Sequence, residues 1–305
     1  NQTLIRMTRS RRRRLSIFVA TWNVGEADFA AAPDLSDLLS GASASDIVAV
    51  GIQEAGSNES ALQLQSAVLS QLGPNFMHGG VSIMAALQLH VFALRDCPVA
   101  DVHIGVLNTA RGSNSLSGSK GATALSLHVN GTSISFVNCH WSARPERVLD
   151  RNIDAHMVLT DLELGEQRVG DFDHCFLFGD LNYRVELDFE VASTAIHKAR
   201  LQASSPSRHF ADLLAADQLL REMRAQHVLQ GFSEAPITFE PTYKWQPNIY
   251  PREIANKRGQ APSYCDRVLY RSQPGFRLEQ IEYCTSDRLV LSDHIPVRAR
   301  FEIKT

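Results

Sequence analysis

Short apolar runs rich in β-branched and aromatic residues recur along the whole chain, and they restrict its fold more than any other feature. Residues 15–24 (LSIFVATWNV) and residues 46–53 (DIVAVGIQ) have the composition of buried strands. The same composition predicts further strands at residues 81–94, 121–129, 132–139, 174–179, 265–271 and 294–303. Asn130 and Gly131 form a two-residue turn signal between two of these runs, which indicates a hairpin. The chain therefore has to build one or more β-sheets.

Helical patterns separate the strand-like runs. Leu35, Leu38 and Leu39 recur at helical spacing. The same period predicts helices at residues 59–72, 146–164 and 209–229. Residues 105–119 are rich in Gly, Ser and Asn and predict an exposed loop. Strands, a hairpin and interspersed helices together predict an α/β fold with mixed sheets rather than a regular β-α-β repeat.

The chain has the size and composition of a single large domain. It has 305 residues, of which 44% are apolar, so it can bury a sizeable core without disulfides. No Pro/Gly/Ser-rich linker divides the sequence, and we predict one domain at residues 15–305. A basic arm or linker at residues 1–14 precedes it. This arm is either solvated or attracted to the anionic lipid head groups of a membrane.

Cysteine spacing and net charge exclude several classes of protein. Five cysteines stand far apart in the sequence, which argues against a zinc ribbon or a redox pair. We expect reduced thiols, as in cytosolic proteins. No apolar run reaches the roughly 18 residues that span a bilayer, so we predict a soluble cytoplasmic protein. Thirty Lys and Arg residues against 33 Asp and Glu residues give a net charge of −3, which argues against a nucleic-acid partner.

Polar and ionisable side chains stand at the ends of the strand-like runs. These residues are Asn23, Glu54, His140, Asp180, Asn182, Asp293 and His294. One of them alone is usually a turn or cap residue. Strand ends in α/β enzymes hold side chains on rigid elements and open onto loops. Together, these residues predict one functional site at a shared edge of the sheets.

The residue types in this set indicate metal-assisted phosphate chemistry. The oxygen atoms of Asn, Glu and Asp suit a hard cation such as Mg²⁺. The sequence lacks the Cys and His spacing of a zinc site. Two histidines and an Asp-x-Asn pair can bind a phosphate and activate water. Uncatalysed hydrolysis of phosphate monoesters is so slow that a metal and several fixed donors are needed together.

Two longer motifs carry a resemblance to a known family. Residues 179–184 (GDLNYR) and residues 262–270 (PSYCDRVLY) resemble the signature motifs of the inositol polyphosphate 5-phosphatases, within the endonuclease/exonuclease/phosphatase superfamily. Supporting segments, in chain order, are TWNVGE (21–26), GIQE (51–54), SKGATAL (119–125), NCHW (138–141), RNIDAH (151–156), PTYKW (241–245) and SDHIPV (292–297). The resemblance covers about residues 15–303 and implies a four-layer sandwich of two packed mixed β-sheets flanked by helices.

The resemblance implies a magnesium site and a water-activating group. Glu54 is the implied principal Mg²⁺ ligand, assisted by Asn23 and by Asp293, which also counts among the catalytic residues. Asp180 is implied to hold and deprotonate the attacking water, and Asn182 to orient the water or the phosphate. A nearby cation favours the base form that such a carboxyl needs.

Two histidines are implied to bind the phosphate that is removed. His140 and His294 are the implied hydrogen-bond donors to this phosphate, on which negative charge accumulates in the transition state. Asp266, within the motif PSYCDRVLY, resembles the carboxylate that orients the second histidine. These residues complete the implied catalytic set.

Cationic and aromatic residues are implied to bind the rest of the substrate. The implied residues are Lys120, Arg184, Tyr243, Lys244 and Arg258. Among them, Tyr243 and Lys244 match a segment that grips the inositol 4-phosphate. Arg258 and Gln260 stand where many relatives have Lys and Arg. A polar residue at position 260 resembles relatives that act on 3,4,5-trisphosphorylated lipid.

The implied activity is Mg²⁺-dependent hydrolysis of the 5-phosphate monoester of inositol polyphosphates or phosphoinositide lipids, with release of inorganic phosphate. Both substrate types stay open, because the segments before SKG and after NCHW depart from the family where relatives contact lipid chains. We expect a monomeric catalytic domain in the cytoplasm, either free or in peripheral contact with the cytosolic face of anionic membranes.

Two other functions use parts of the same residue set. An abasic-site endonuclease-like DNA phosphodiesterase shares the Asn, Glu, Asp-x-Asn and Asp-His residues. The pairing of GDLNYR with PSYCDRVLY and the acidic balance argue against it. A non-catalytic phosphoinositide-binding module needs the cations but not the metal ligand and the base. The presence of Glu54, Asp180 and both histidines argues against that alternative.

Overall fold

Two β-sheets pack face to face, and helices cover both outer faces. The computed structural model describes residues 14–26, 34–55, 58–111, 120–201, 210–256 and 258–304. The strands are β1 (Arg14–Asn23), β2 (Ile47–Gln53), β3 (Phe76–Met84), β4 (Leu87–Leu94), β5 (Val99–Asn108), β6 (Gly121–Val129), β7 (Thr132–His140), β8 (Glu163–Leu164), β9 (Gln167–Arg168), β10 (His174–Asp180), β11 (Asp266–Ser272), β12 (Arg277–Thr285) and β13 (Val297–Lys304). The α-helices are α1 (Asn58–Leu72), α2 (Val148–Asp161), α3 (Phe189–Leu201), α4 (Ala211–Ala215) and α5 (Gln218–Arg224).

Both large sheets combine parallel and antiparallel pairs. The first sheet has the order β12-β13-β1-β2-β4-β3, and the second sheet has the order β11-β10-β7-β6-β5. Strands β1 and β2 run parallel, as do β7 and β10, whereas the other neighbours in these sheets are antiparallel. The predicted mixed-sheet sandwich is therefore confirmed.

Alternate residues of the strands serve two different cores. Ile17 and Val19 of β1 belong to the apolar core between the sheets, whereas Phe18 and Ala20 belong to the core under helix α1. Successive side chains of a strand point to opposite faces. Because both faces are buried, the strand is an almost continuous apolar run. This burial explains the composition from which the strand was predicted.

The helices complete the four layers. Leu64 and Val68 of α1 pack on the outer face of the first sheet. Ala155 and Val158 of α2 pack with Val137 of β7 on the outer face of the second sheet. No described helix is long and apolar enough to cross a lipid bilayer. All five cysteines are free thiols, as expected for a core that forms without disulfides.

The structure corrects one strand prediction and one loop prediction, and it adds a strand that was not predicted. Residues 81–94 are not one strand, because β3 and β4 form a hairpin that turns at Ala85 and Ala86. Neither alanine is a turn signal, although Ala85 has a positive φ of 48°. Residues 105–108 of the predicted loop belong to β5, while residues 112–119 lie outside the described residues. Strand β12 was missed because its side chains are largely polar and partly exposed.

The helix predictions were only partly right. In place of the helix predicted at residues 209–229, of which residue 209 lies outside the described residues, the chain forms the two short helices α4 and α5. Asp217 separates them, because its side chain accepts a hydrogen bond from Leu220 N at 2.9 Å as the N-cap of α5. The helical spacing of Leu35, Leu38 and Leu39 was misleading, because residues 36–41 form turns and a short 3₁₀ helix follows at Ala42–Ala44. Of the predicted basic arm, only Arg14 is described, and it begins β1.

Phe176 makes the central core testable. Its ring is fully buried between the sheets, 5.5 Å from the Phe136 ring and 4.8 Å from the Phe301 ring. We expect Phe176→Ala to lower the free energy of unfolding by about 3–5 kcal/mol, because it leaves a cavity in close-packed surroundings. Phe276→Ala is the matched control, since that ring is 40% exposed, and it should cost roughly 1 kcal/mol or less. Chemical denaturation measures both, and equal losses would contradict this description of the core.

Candidate active site

One edge of the sandwich collects the ends of strands from both sheets. Asn23 ends β1 beside Gln53 at the end of β2 in the first sheet. His140 ends β7 beside Asp180 at the end of β10 in the second sheet. Asp266 begins the antiparallel strand β11 opposite Asp180. We call this edge, defined by these five residues, the site edge.

Asp180 lies at the centre of the site edge and is almost fully buried. Its Oδ2 atom accepts a hydrogen bond from Asn23 Nδ2 at 2.9 Å and lies 3.3 Å from His140 Nε2. Its Oδ1 atom accepts a hydrogen bond from the backbone N of Asn182 at 3.0 Å. Residues of both sheets thus converge on one carboxylate.

The surroundings of Asp180 keep it ionised. Burial alone raises the pKa of this carboxyl. The hydrogen bond from His140 and the positive charges of His294 and Lys120 outweigh burial, so the pKa lies well below its usual range. Asp180 is therefore a carboxylate at neutral pH and can accept a proton.

His140 Nε2 faces three charged groups. It lies 3.7 Å from Glu54 Oε1 and 3.3 Å from Asp180 Oδ2, and Lys120 Nζ contacts the same nitrogen. Burial lowers the pKa of His140, and the charge of Lys120 lowers it further. Burial also lowers the pKa of Lys120, although the two carboxylates oppose that effect. His140 is therefore a neutral imidazole, and it has a single N–H, which at Nε2 faces Asp180.

His294 forms a buried pair with Asp266. His294 Nδ1 and Asp266 Oδ2 are 2.8 Å apart. Burial opposes the charged imidazolium, but the nearby carboxylates, first Asp266 and then Asp180 and Asp293, outweigh burial and raise the pKa of His294 to about 9. Asp266 is itself held by its backbone N, which donates to Thr242 Oγ1 at 3.1 Å. The Tyr243 ring packs against the imidazole, with 4.4 Å between ring centroids.

Asn182 is fixed by hydrogen bonds on both ends of its amide. Its Nδ2 donates to the carbonyl O of Trp141 at 3.1 Å, and its Oδ1 accepts from Arg184 Nη2 at 2.6 Å. Arg184 also lies over the Tyr243 ring at 4.6 Å. Its other terminal nitrogen, Nη1, is buried and has no partner among the described residues. This guanidinium therefore has a free donor for an anion.

Lys244 and Asp293 are joined across the site. Lys244 Nζ lies 2.9 Å from Asp293 Oδ2 and donates to the Tyr243 hydroxyl at 3.0 Å. Arg258, by contrast, is exposed and makes no hydrogen bond or ion pair within the described part of the chain. The structure thus brings four of the five predicted substrate-binding residues to the site edge and leaves Arg258 outside these contacts.

Carboxylate and amide oxygens at this edge suit a hard cation. Glu54 follows β2 with a positive φ of 53°, and its side chain is 41% exposed. Asn23 Oδ1 accepts a hydrogen bond from Gly25 N at 3.0 Å. Asp293 is partly exposed on the neighbouring loop. An exposed carboxylate beside the buried Asp180 adds negative charge that a divalent cation can neutralise.

A second group of possible ligand atoms lies deeper. One ligand atom from each of Asp180, Asp266 and His294 lies within 4.8 Å of the other two. His294 Nδ1 is already paired with Asp266, and this bond gives the two residues the geometry of an oriented histidine. Mg²⁺ prefers oxygen ligands, so Glu54, Asn23 and Asp293 suit it better.

Two supporting residues were not predicted. Ser292 Oγ donates to the carbonyl O of Asn23 at 2.7 Å and accepts from His294 N at 3.1 Å. Arg252 Nη1 donates to the carbonyl O of Ser292 at 2.9 Å. These bonds fix the loop that carries Asp293 and His294. Ser292 stands in the SDHIPV segment, whereas the position of Arg252 carries no sequence signal of this role.

Comparison with known proteins agrees with the motifs. The model of endonuclease/exonuclease/phosphatase family 2 matches residues 20–300. Human phosphatidylinositol 3,4,5-trisphosphate 5-phosphatase 1 is 33% identical over 316 aligned positions, which cover 94% of this chain. A Danio rerio relative, phosphatidylinositol 3,4,5-trisphosphate 5-phosphatase 2B, is 32% identical and covers 95% of this chain. The chain spans 26% and 25% of these relatives, respectively.

Solved structures show the same fold. The inositol polyphosphate 5-phosphatase domain of spsynaptojanin, in complex with inositol (1,4)-bisphosphate and calcium, has a TM-score of 0.80 and 26% identity. The match covers 95% of this chain and 84% of that one. A Cimex nitrophorin has a TM-score of 0.72, but at 21% identity it shows the fold alone. By its family model, this chain belongs to endonuclease/exonuclease/phosphatase family 2, and within that family it is similar to the inositol polyphosphate 5-phosphatases.

Proposed function

We propose that this chain removes the 5-phosphate from an inositol polyphosphate or a phosphoinositide lipid by Mg²⁺-dependent attack of water, and releases inorganic phosphate. One observation carries the proposal: an ionised, buried Asp180 lies within hydrogen-bonding range of groups from both sheets at an edge that also holds two histidines. The relatives are named for this activity on phosphatidylinositol 3,4,5-trisphosphate. The lipid is therefore the first substrate to test.

Each site residue has a distinct role in the proposed reaction. Asp180 accepts the proton of the attacking water, and Asn182 orients the water or the phosphate. His140 and His294 donate hydrogen bonds to the scissile phosphate, where charge develops. Asp266 holds the second imidazole in its charged and oriented form. Each of these groups is fixed before substrate arrives, which lowers the barrier by preorganisation.

Magnesium fits the oxygen donors at this edge. Glu54 is the principal ligand that we propose, with Asn23 and Asp293 contributing directly or through water. A cation bound there would neutralise negative charge on the phosphoryl oxygens. Removal of divalent ions with EDTA should therefore abolish phosphate release, and Mg²⁺ should restore it.

Positively charged side chains surround the place where, in this proposal, the inositol ring and its other phosphates bind. Lys244 with Tyr243 receives the inositol 4-phosphate in this proposal. Beside Lys120, a cavity of about 140 Å³ is lined by Arg111, Arg144 and Arg147 and by one carboxylate, Asp150, which pairs with Arg111. Such a surface favours an anionic ligand. We place the protein in the cytoplasm, in peripheral contact with anionic membranes when the substrate is a lipid.

Phosphate release from a panel of soluble and lipid inositol substrates tests this function, and an abasic DNA duplex serves as the counter-substrate. Asp180→Asn keeps the shape of the side chain but removes the base. We expect it to reduce kcat by roughly 10²- to 10⁴-fold. The exposed Asp212→Asn is the matched control and should keep wild-type activity. Near-normal turnover by a folded Asp180→Asn protein, as judged by circular dichroism, would refute the assigned role.

Lys244→Ala tests the 4-phosphate contact. The variant should lose roughly 10- to 100-fold more kcat/KM on substrates that carry a 4-phosphate than on those without one, because it removes a charged hydrogen bond. Lys198→Ala, on the exposed face of α3, is the matched control and should change neither. Equal losses on both substrate types would show that Lys244 acts only through its ion pair with Asp293.

His294 should titrate near pH 9 in the metal-free protein, because Asp266 stabilises its imidazolium. In Asp266→Asn, only Asp180 and Asp293 still oppose the effect of burial, so the pKa of His294 should fall well below 9. NMR titration of the imidazole protons measures both values. Asp287→Asn, an exposed carboxylate, should leave the titration unchanged. A His294 pKa that stays near 9 in Asp266→Asn would contradict the pairing.

The same pair predicts how stability depends on pH. The pKa of His294 is higher in the folded protein than in the unfolded chain, where it is about 6.5. The stabilisation is therefore fully present below pH 6.5 and is lost as the pH rises through about 9. Wild type should lose more stability over this range than Asp266→Asn, as followed by denaturation midpoints.

A further inference from the structure

Two buried amide side chains join the sheets at the site edge and one residue pair below it. Asn138 lies in β7 of the second sheet, and Gln53 ends β2 of the first sheet. Both are fully buried. Gln53 Nε2 donates to Asn138 Oδ1 at 2.6 Å and to Thr21 Oγ1, in β1, at 3.0 Å. The sheets, whose central core is apolar, are thus connected by directional bonds at this level.

Asn138 bonds the first sheet through both ends of its amide. Its Nδ2 donates to the carbonyl O of Ile52 at 3.1 Å and to that of Gln88 at 3.0 Å. Its Oδ1 accepts the bond from Gln53. Gly51 leaves space for this side chain, because a Cβ atom there would lie 2.6 Å from Asn138 Oδ1. The amide is therefore locked across the interface.

Gln53 and Asn138, together called the amide layer, lie close to candidate catalytic residues along their strands. Side chains two residues apart share a face of a strand, so Asn138 lies directly below His140. Gln53 immediately precedes Glu54. Glu54 Oε1 and His140 Nε2 are 3.7 Å apart across the two sheets. A shift of one sheet against the other would change both the amide bond and this separation.

Stability alone does not account for these amides. Burial of an amide costs free energy, because the amide loses its hydrogen bonds to water, and this cost is offset only by hydrogen bonds inside the protein. Apolar side chains of the same volume carry no such cost. Gln53 Oε1 is buried without a partner among the described residues, so the recovery is incomplete. Directional bonds, however, fix a distance more narrowly than apolar packing does. The arrangement suits positioning better than stabilisation.

We propose that Gln53 and Asn138 are positioning residues that set the separation between Glu54 on the first sheet and His140 with Asp180 on the second. The inference rests on the proposed function, in which Glu54 binds Mg²⁺ and Asp180 is the base. The two amides act through their strands, since Gln53 ends β2 directly before Glu54 and Asn138 lies two residues before His140 in β7.

The test compares volume-conserving substitutions at two buried glutamines. Gln53→Met removes the amide between the sheets, whereas Gln88→Met removes one that bonds Ser60 on the outer face of the first sheet. Both should lower the midpoint of chemical unfolding. Only Gln53→Met should weaken Mg²⁺ binding, by about 10-fold in calorimetry, and lower kcat with little change in KM. A crystal structure of the metal-free variant should show a longer distance from Glu54 Oε1 to His140 Nε2.

Thr21→Val is the second variant, because it removes a single hydrogen bond from the same layer and threatens folding less. It should shift Mg²⁺ affinity and kcat in the same direction by a smaller factor. The proposal is overturned if these variants lose stability, as Gln88→Met does, but keep wild-type Mg²⁺ affinity, kcat and site distance. A wild-type chain that binds Mg²⁺ without releasing phosphate would contradict the proposed function alone, since affinity and distance still test the positioning.

Discussion

The inner faces of the two sheets change from apolar to ionisable side chains along the strands, and the site depends on this change. The inward residues, in chain order, are Ile17, Val19, Thr21 and Asn23 in β1, Ile134, Phe136, Asn138 and His140 in β7, and Phe176, Phe178 and Asp180 in β10. The apolar part stabilises the fold through burial. The polar part costs free energy unless its groups are paired. The fold therefore holds a charged site rigidly because the rest of the same interface is an apolar core.

Charge balance at the site edge follows from this burial. Asp180 stays ionised only because a histidine hydrogen bond and nearby positive charges outweigh its desolvation, and His294 stays charged because of Asp266. Lys120, whose pKa burial lowers, lies beside these groups without a direct carboxylate partner among the described residues. A bound phosphate places negative charge close to Lys120 and His294, and this electrostatic interaction is favourable. The same arrangement that stabilises the empty site thus favours an anionic substrate.

The architecture by itself does not decide the activity. A Cimex nitrophorin and the inositol polyphosphate 5-phosphatase domain of spsynaptojanin both share this fold with the chain. Function resides in the side chains that a fold presents, not in its strand order. The proposal for this chain therefore depends on particular residues, above all on Asp180 with its partners and on the half-exposed Glu54. The amides beneath them connect that local chemistry to the packing of the sheets.

The sequence by itself identified most of the buried strands, the polar residues that stand at their ends, and the family. It did not determine β12, whose alternating polar residues lack an apolar signal, or the break between α4 and α5 at Asp217. The family resemblance implied that Asp266 orients His294, 28 positions away, but only the tertiary structure decided that Gln53 meets Asn138 across 85 positions. Local composition fixes whether a segment is a strand, but the order of strands in the sheets fixes which ends become neighbours. Pairing over such distances depends on the packing of the whole chain, and no local pattern encodes it.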